Sequence, residues 1–466
     1  MTINSDTDTG NLPHGIGCPL SFRRIAAVWW PLALSWLLMS VEGPAHSAVV
    51  ARLVNAEINL AAWGGIVFPL SLIIESPVVM MLSASTALSK DWETYRKLRR
   101  IAMILGAALT VLHIGVAFTP LYYVVARDLI GAPEAIIEPG RLGLMIMTPW
   151  SWAIAYRRFQ QGAMIRFGHS KAVGTGTVIR MAANAVVLAT GYIIHDIPGI
   201  VVAASAVAVG VITEAIYAGW RVRPIVRTQI RCAPRSRDLL TIRSFTAFYL
   251  PLALTSLIWF FVSPIGSAAM SRMPDPLGSL AVWPILNGLI FMLRSPGLAY
   301  NEAVVALLDE EGAYRRLRQF AKGLGLGSLL LIVVVVTTPL STLWFSKIMA
   351  LSPALVELSK QALWLALPLP LLALLQSWYQ GMLVHSKQTR GVTESVILYL
   401  IVIAIVLSVG ISLQRFPGLV VVIIGFNAAT LIQVGWLWHR SRAAAGTLKG
   451  LSSTQPFPDP LPVPAE

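Results

Sequence analysis

Trp30-Pro31-Leu32-Ala33-Leu34-Ser35 reads WPLALS, and 220 residues later Leu250-Pro251-Leu252-Ala253-Leu254-Thr255 reads LPLALT. Working outward, Trp63 returns as Trp283 at the same offset. One residue is then lost, and at an offset of 219 four further matches follow. Ser76-Pro77 returns as Ser295-Pro296, Tyr95-Arg96-Lys97-Leu98-Arg99 as Tyr314-Arg315-Arg316-Leu317-Arg318, Thr119-Pro120 as Thr338-Pro339, and Gln161-Gly162 as Gln380-Gly381. Of the eight prolines from Pro31 to Pro149, five find a proline at the matching place, where 29 prolines in 466 residues would supply fewer than one by chance. The chain is therefore one pattern written twice, over 25–220 and 244–440.

Composition says where that pattern lives. The chain is 56% hydrophobic and 12% charged, against about 25% charged residues in soluble domains, and its mean hydropathy is +0.70. Continuous apolar runs such as Leu324 to Val336 suit helices spanning a bilayer rather than the short alternating strands of a barrel. The sequence predicts twelve spans, at 25–51, 60–88, 101–126, 142–165, 172–193, 198–220, 244–271, 279–307, 321–346, 359–384, 391–412 and 418–439. The tail 1–24 is polar, lacks the apolar core of a secretory signal and is expected to be disordered. A basic linker is expected over 221–243 and a proline-rich tail over 441–466. Cys18 and Cys232 suggest neither a disulfide nor a metal site.

With the N-terminus inside, the inner segments hold 24 Lys/Arg and the outer ones six: Arg52, Arg127, Arg141, Arg272, Lys347 and Arg415. That bias predicts a multi-pass protein of the cell membrane with both termini cytoplasmic. It also accounts for the net charge of +14 through lipid headgroups, so nucleic acid is not an expected partner. Six spans per repeat is an even number, so the two lobes enter the membrane from the same side and are related by a pseudo-twofold axis along its normal. The expected fold is all-α and integral to the membrane, and the expected state is monomeric.

Ionisable groups inside a span cost roughly 2.5–3.5 kcal/mol each on insertion scales, so each marks a functional candidate. Glu42 and His46 lie four apart on one helix face, with Pro44 between them freeing a backbone carbonyl; this reads as a proton or cation coupling site. Pro264 repeats Pro44, whereas Glu42 becomes Val262. Glu75 and Arg294 are repeat equivalents of opposite charge, preceding the kink residues Pro77 and Pro296, and read as a gate between lobes. Arg157, Arg158 and Arg180 either reach the headgroups or give the cavity three cations that attract an anion. Glu302 is expected to balance part of that field, Glu214 to reach the headgroups, and His113 to be packing. The Gly174-Thr175-Gly176-Thr177 run reads as close helix packing. No Walker-type loop is present, so ATP hydrolysis is not indicated, and the chain is not expected to be an enzyme.

The proline-bearing helices 1 and 7, with Gln-Gly followed by Ser-Lys at 161–171 and again at 380–387, resemble the MOP flippase superfamily, which includes the multidrug and toxic-compound extrusion (MATE) transporters. Trp29-Trp30-Pro31-Leu32-Ala33-Leu34 is similar to a stretch of the progressive ankylosis family, which carries it in its second repeat. Glu42, Ser89-Lys90-Asp91, Pro264 and Glu302 also fall where that family has like residues. The resemblance implies a rocker-switch carrier with a cavity lined by helices 1, 2, 7 and 8. The ankylosis family implies export of pyrophosphate, citrate or nucleotides; MATE proteins imply efflux of drugs or cations driven by H+ or Na+. The expectation is a secondary-active exporter of small anions without a cofactor beyond a coupling ion. The rivals are a lipid-linked glycan flippase, a MATE-type antiporter and a non-transporting scaffold.

Overall fold

Ser21 caps the first helix: its hydroxyl accepts a hydrogen bond from Arg24 N at 3.2 Å and fixes the first helical turn at Phe22. In the computed structural model, residues 20–234, 240–308, 310, 312–386, 388 and 390–451 are described, and no strand occurs among them. The first lobe comprises α1 (Phe22–Val50), α2 (Ala56–Leu88), α3 (Trp92–Phe118), α4 (Ile137–Arg166), α5 (Ser170–Ile194) and α6 (Gly199–Ile230). The second comprises α7 (Ile242–Ser271), α8 (Pro276–Leu307), α9 (Ala313–Thr337), α10 (Pro353–Leu365 and Leu369–His385), α11 (Arg390–Leu413) and α12 (Gly418–Leu451). Ten of these are long and apolar enough to cross a membrane, or eleven when the two arms of α10, bent by 41°, are one span. The twelfth expected span lies in α4, which is 30 residues long but carries Glu138, Arg141, Arg157, Arg158 and Arg166.

Two expected boundaries move. Residues 221–230, assigned to the basic linker, continue α6 as helix, and the helix expected to stop near 439 runs on to Leu451. The rest of both tails, residues 1–19 and 452–466, and part of the linker, 235–239, lie outside the described residues.

Proline shapes the helices around the centre. Pro77 and Pro296 cannot donate to Ile73 O and Met292 O, and in each case the preceding serine does so: Ser76 Oγ at 2.8 Å and Ser295 Oγ at 2.8 Å. The repeated Ser-Pro thus keeps a kinked helix satisfied in an apolar medium. The Pro44 and Pro264 sites behave differently. Helix α1 runs unbroken through Pro44, whereas α7 breaks at Phe261, three residues before Pro264.

The first helix of each lobe packs across the seam. Leu20 and Ile25 join a cluster with Tyr300, Val304, Leu317 and Trp378 of the second lobe. Phe245 and Tyr249 join Met81, Tyr95 and Phe159 of the first. Trp29 Nε1 donates to Pro296 O at 2.9 Å, and its repeat equivalent Tyr249 donates through its hydroxyl to Pro77 O. Packing units and sequence repeats therefore do not coincide: α1 and α7 exchange their terminal halves. Farther along, glycines admit the partner's prolines. A Cβ on Gly288 of α8 would stand 2.9 Å from Pro44 Cγ, and one on Gly64 of α2 2.7 Å from Pro284 Cδ.

Candidate functional site

Between the lobes, around mid-helix depth, lies a cavity of about 540 Å³. The first lobe contributes Glu42, His46, Glu75, Arg157, Arg158 and Arg180 to its wall. The second contributes Trp259, Trp283, Phe291, Arg294, Gln376, Tyr399 and Gln433. Of the charged and histidine candidates from sequence, Glu302 is elsewhere, and of the four kink prolines only Pro44 is on the wall. Glu302 borders a separate hollow of about 610 Å³ between α1, α8 and α10, which shares Gln376 with the cavity.

The first-lobe charges form one chain of contacts across four helices. Glu42 of α1 takes two hydrogen bonds from Arg180 Nη1 of α5, at 2.7 and 2.6 Å, and a third from Asn184 Nδ2 at 2.5 Å. Arg180 Nε stands 3.2 Å from Glu214 Oε2 of α6. Glu214 also binds Arg157 Nη1 of α4 and accepts from Gln161 Nε2 at 2.8 Å. Burial makes this mutual pairing obligatory, because an isolated charge in such a place is far more costly than a matched one. Gly210 is part of the construction: a Cβ there would fall 1.7 Å from Asn184 Oδ1.

This network corrects the expectation of three free cations. Arg157 and Arg180 do face the cavity rather than the headgroups, yet both are matched by Glu214 and Glu42. Glu214, expected near the lipid headgroups, is fully buried at the network's centre. The physical reason is helix length: with α6 running from Gly199 to Ile230, Glu214 is at its middle. Sequence reasoning missed Asn184 altogether and read Gln161 only as part of the repeat and the family signal, since a neutral amide in a span is not costly enough to mark a site. Their only signal as site residues was helical spacing from Arg180 and Arg157.

Two cations remain. Arg158 is attracted by Glu75 and Glu214 and repelled by Arg157 and Arg180, and its Nε has no hydrogen-bond partner. Arg294 is isolated in the second lobe: among the described residues it enters no ion pair, and its Nε is buried without a partner. The expected Glu75–Arg294 pair is not made in this state; the charges acting on Glu75 are those of Arg158 and Arg157. Counting His46 as neutral, four arginines against Glu42, Glu75 and Glu214 leave the site with an excess of one positive charge.

His46 is turned away from the Glu42 carboxylate. Its Nδ1 lies 2.7 Å from the Glu42 backbone oxygen, and its ring stacks on Trp63 at 6.5 Å between centroids. His113 is buried between Ser151 Oγ and Leu144 O, each 2.9 Å away, and stands outside the cavity. A Cβ on Gly176 would lie within 3.5 Å of Tyr217 and Glu214, while one on Gly174 would meet open space. Among the described residues no group of His, Cys, Asp and Glu is arranged to hold a metal ion.

No protein-family model matches the chain, and no curated protein matches it. Solved structures do. The chain is similar to a multidrug resistance MATE family transporter of the MOP superfamily in its inward-facing conformation, with TM-score 0.68, 14% identity, and 91% of this chain and 99% of that one covered. It is similar to the lipid II flippase MurJ in an inward closed conformation, with TM-score 0.64, 11% identity and 91% and 90% covered. A eukaryotic MATE transporter aligns with TM-score 0.54, 13% identity and 92% and 96% covered. The fold is thus that of the MATE and MurJ transporters; these matches lend nothing to the progressive ankylosis resemblance.

Proposed function

We propose that the protein is a secondary-active transporter of a small anionic solute, working by alternating access between its two lobes, with the face bearing the termini in the cytoplasm. The observation that carries this reading is Arg294: a half-buried guanidinium on the cavity wall whose Nε is buried without a partner, with no acid paired to it among the described residues. Such a group is costly in a membrane unless a ligand completes it. Arg158 belongs to the opposite lobe, so one anion held by both would draw the lobes together. A cavity of this size falls within the usual range for small-molecule sites, and its aromatic second-lobe wall suits an anion with a flat or apolar body.

The Glu42–Arg180 contact supplies the coupling step. Protonation of Glu42 removes the acceptor that holds Arg180 and frees that cation to face the cavity; loss of the proton restores the pair. Proton binding and anion binding thereby favour each other at one side chain, which is what a proton–anion symporter requires. A diphosphate headgroup would satisfy the same cations, as a lipid flippase would need. That reading is weaker because α1 packs along α8 through Trp29 and Ile25 and pairs Arg24 with Glu310 just beyond the end of α8, closing that flank to lipid.

The test is a thermal-shift screen of purified protein against citrate, pyrophosphate, ATP, a polyprenyl diphosphate and a cationic dye, followed by uptake into proteoliposomes under a pH gradient. One of the anions is expected to raise the melting temperature, Arg294→Gln to abolish that rise, and Glu42→Gln to leave uptake insensitive to the gradient. Stabilisation by the cationic dye alone would overturn the anion reading. A response confined to the polyprenyl diphosphate would transfer it to a flippase.

A further inference from the structure

On the face opposite the termini, two arginines at repeat-equivalent positions reach across the seam. Arg52, at the end of α1, donates through Nη2 to Lys347 O at 2.6 Å and through Nη1 to Ile348 O at 2.7 Å. Arg272, at the end of α7, donates through Nη2 to Asp128 O at 3.1 Å and Leu129 O at 2.8 Å, and through Nη1 to Ile130 O at 2.6 Å. Each guanidinium also holds its own helix, Arg52 to Ala48 O at 2.6 Å and Arg272 to Ala268 O at 2.8 Å.

The receiving elements are equivalent as well. Val124–Ile130 and Leu343–Ile348 are π-helical turns that end the stretches after α3 and α9. Their last carbonyls have no partner within the helix and carry its negative end, so a cation there is stabilised twice over. Both turns are closed by a residue in the left-handed region, Gly131 at φ +72° and Ala350 at φ +50°. For Gly131 the reason is visible, because a Cβ would lie 3.1 Å from Arg272 Cζ. At Ala350 the same strained conformation is kept without glycine, which marks the turn's shape as required.

We propose that Arg52 and Arg272 form a twofold latch that holds the far-face gate shut, each lobe gripping the other by the carbonyl end of its π-helical turn. Five hydrogen bonds cross the seam at this level, and all must release before the cavity opens to the far side. Lysine cannot replace either arginine: the latch needs a planar fork whose two Nη groups address different carbonyls at once. The proposal rests on the alternating-access reading, since only a protein that opens on this face needs to close it.

The experiment measures gate opening directly. In the full chain with Cys18 and Cys232 replaced by serine, Ser263→Cys places one thiol on the cavity wall, and a membrane-impermeant maleimide is supplied from the side opposite the termini. Arg52→Ala and Arg272→Ala are each expected to speed labelling on the order of tenfold, from the loss of hydrogen bonds to a charged donor. The double variant is expected to exceed either, the two lysine variants to behave like the alanines, and Arg415→Ala, which removes a far-face arginine outside the latch, to change nothing. Unchanged labelling in the arginine variants overturns the latch, as does full rescue by lysine or an equal effect from Arg415→Ala. If the double variant fails to reach the membrane, the single variants decide the matter. Faster labelling in a protein that moves no solute would keep the latch and sink the transporter; transport with indifferent labelling would do the reverse.

Discussion

Set against each other by repeat position, the two lobes share many backbone devices, though not the breaks in α7 and α10, and differ chiefly in charge. Glu42, Arg157, Arg180 and Glu214 of the first correspond to Val262, Gln376, Tyr399 and Gln433 of the second. All four replacements line the cavity, and none is ionised at neutral pH. The one charge on the second wall, Arg294, stands where the first has Glu75. Close-approach devices, by contrast, are duplicated faithfully. Asn59 Oδ1 accepts from Ile200 N at 3.2 Å, and its counterpart Ser279 Oγ accepts from Leu419 N at 3.1 Å. Architecture was copied and chemistry was not, so the asymmetric positions are where function is to be sought.

The largest test of that contrast is at Glu214. Glu214→Gln leaves Arg157 without its acid and Arg180 with Glu42 alone, and should cost about 3–5 kcal/mol, as breaking a buried ion pair does. Gln433→Leu at the equivalent place forfeits a single 3.4 Å contact to Ser395, and should cost about 1 kcal/mol or less. Unfolding of the purified proteins compares them, and equal losses would break the contrast. A smaller effect is expected at the glycines that receive prolines: Gly288→Ala and Gly64→Ala should each lose about 1–3 kcal/mol by overpacking. These glycines are not repeat equivalents, Pro284 and Phe68 standing at the matching places, so destabilisation by only one would show that the two contacts carry unequal weight. The smallest concerns Ser76→Ala and Ser295→Ala, each expected to lose about 1 kcal/mol when its carbonyl is left unpaired. Matching shifts in melting temperature would sharpen the view that the kinks are common to both lobes.

Much of this was legible in the chain. Apolar length gave the helices, and the repeat gave the relation between lobes, because both are properties of residue type and spacing. Glu42, Glu75, Arg157, Arg158, Arg180 and Arg294 stood out as charges where charge is expensive, and all six line one cavity. What was hidden is who meets whom. Arg180 reaches Glu42 across 138 positions, and no periodicity encodes that contact. Glu214 was misjudged because basic residues at 221–227 read as linker, when they extend the helix and set the carboxylate at its centre. Arg52 and Arg272 were read only as charges on the outer loops. Their role lies in backbone carbonyls, which side-chain identity does not announce.

The exchanged ends of α1 and α7 carry a consequence for biogenesis. When the sixth helix leaves the ribosome, Ile25 and Trp29 have as yet no second lobe to rest on, and their lower flank waits in lipid until α8 arrives. The packing of the first half is completed only by the second, so the two halves expressed apart are expected to be less stable than the whole.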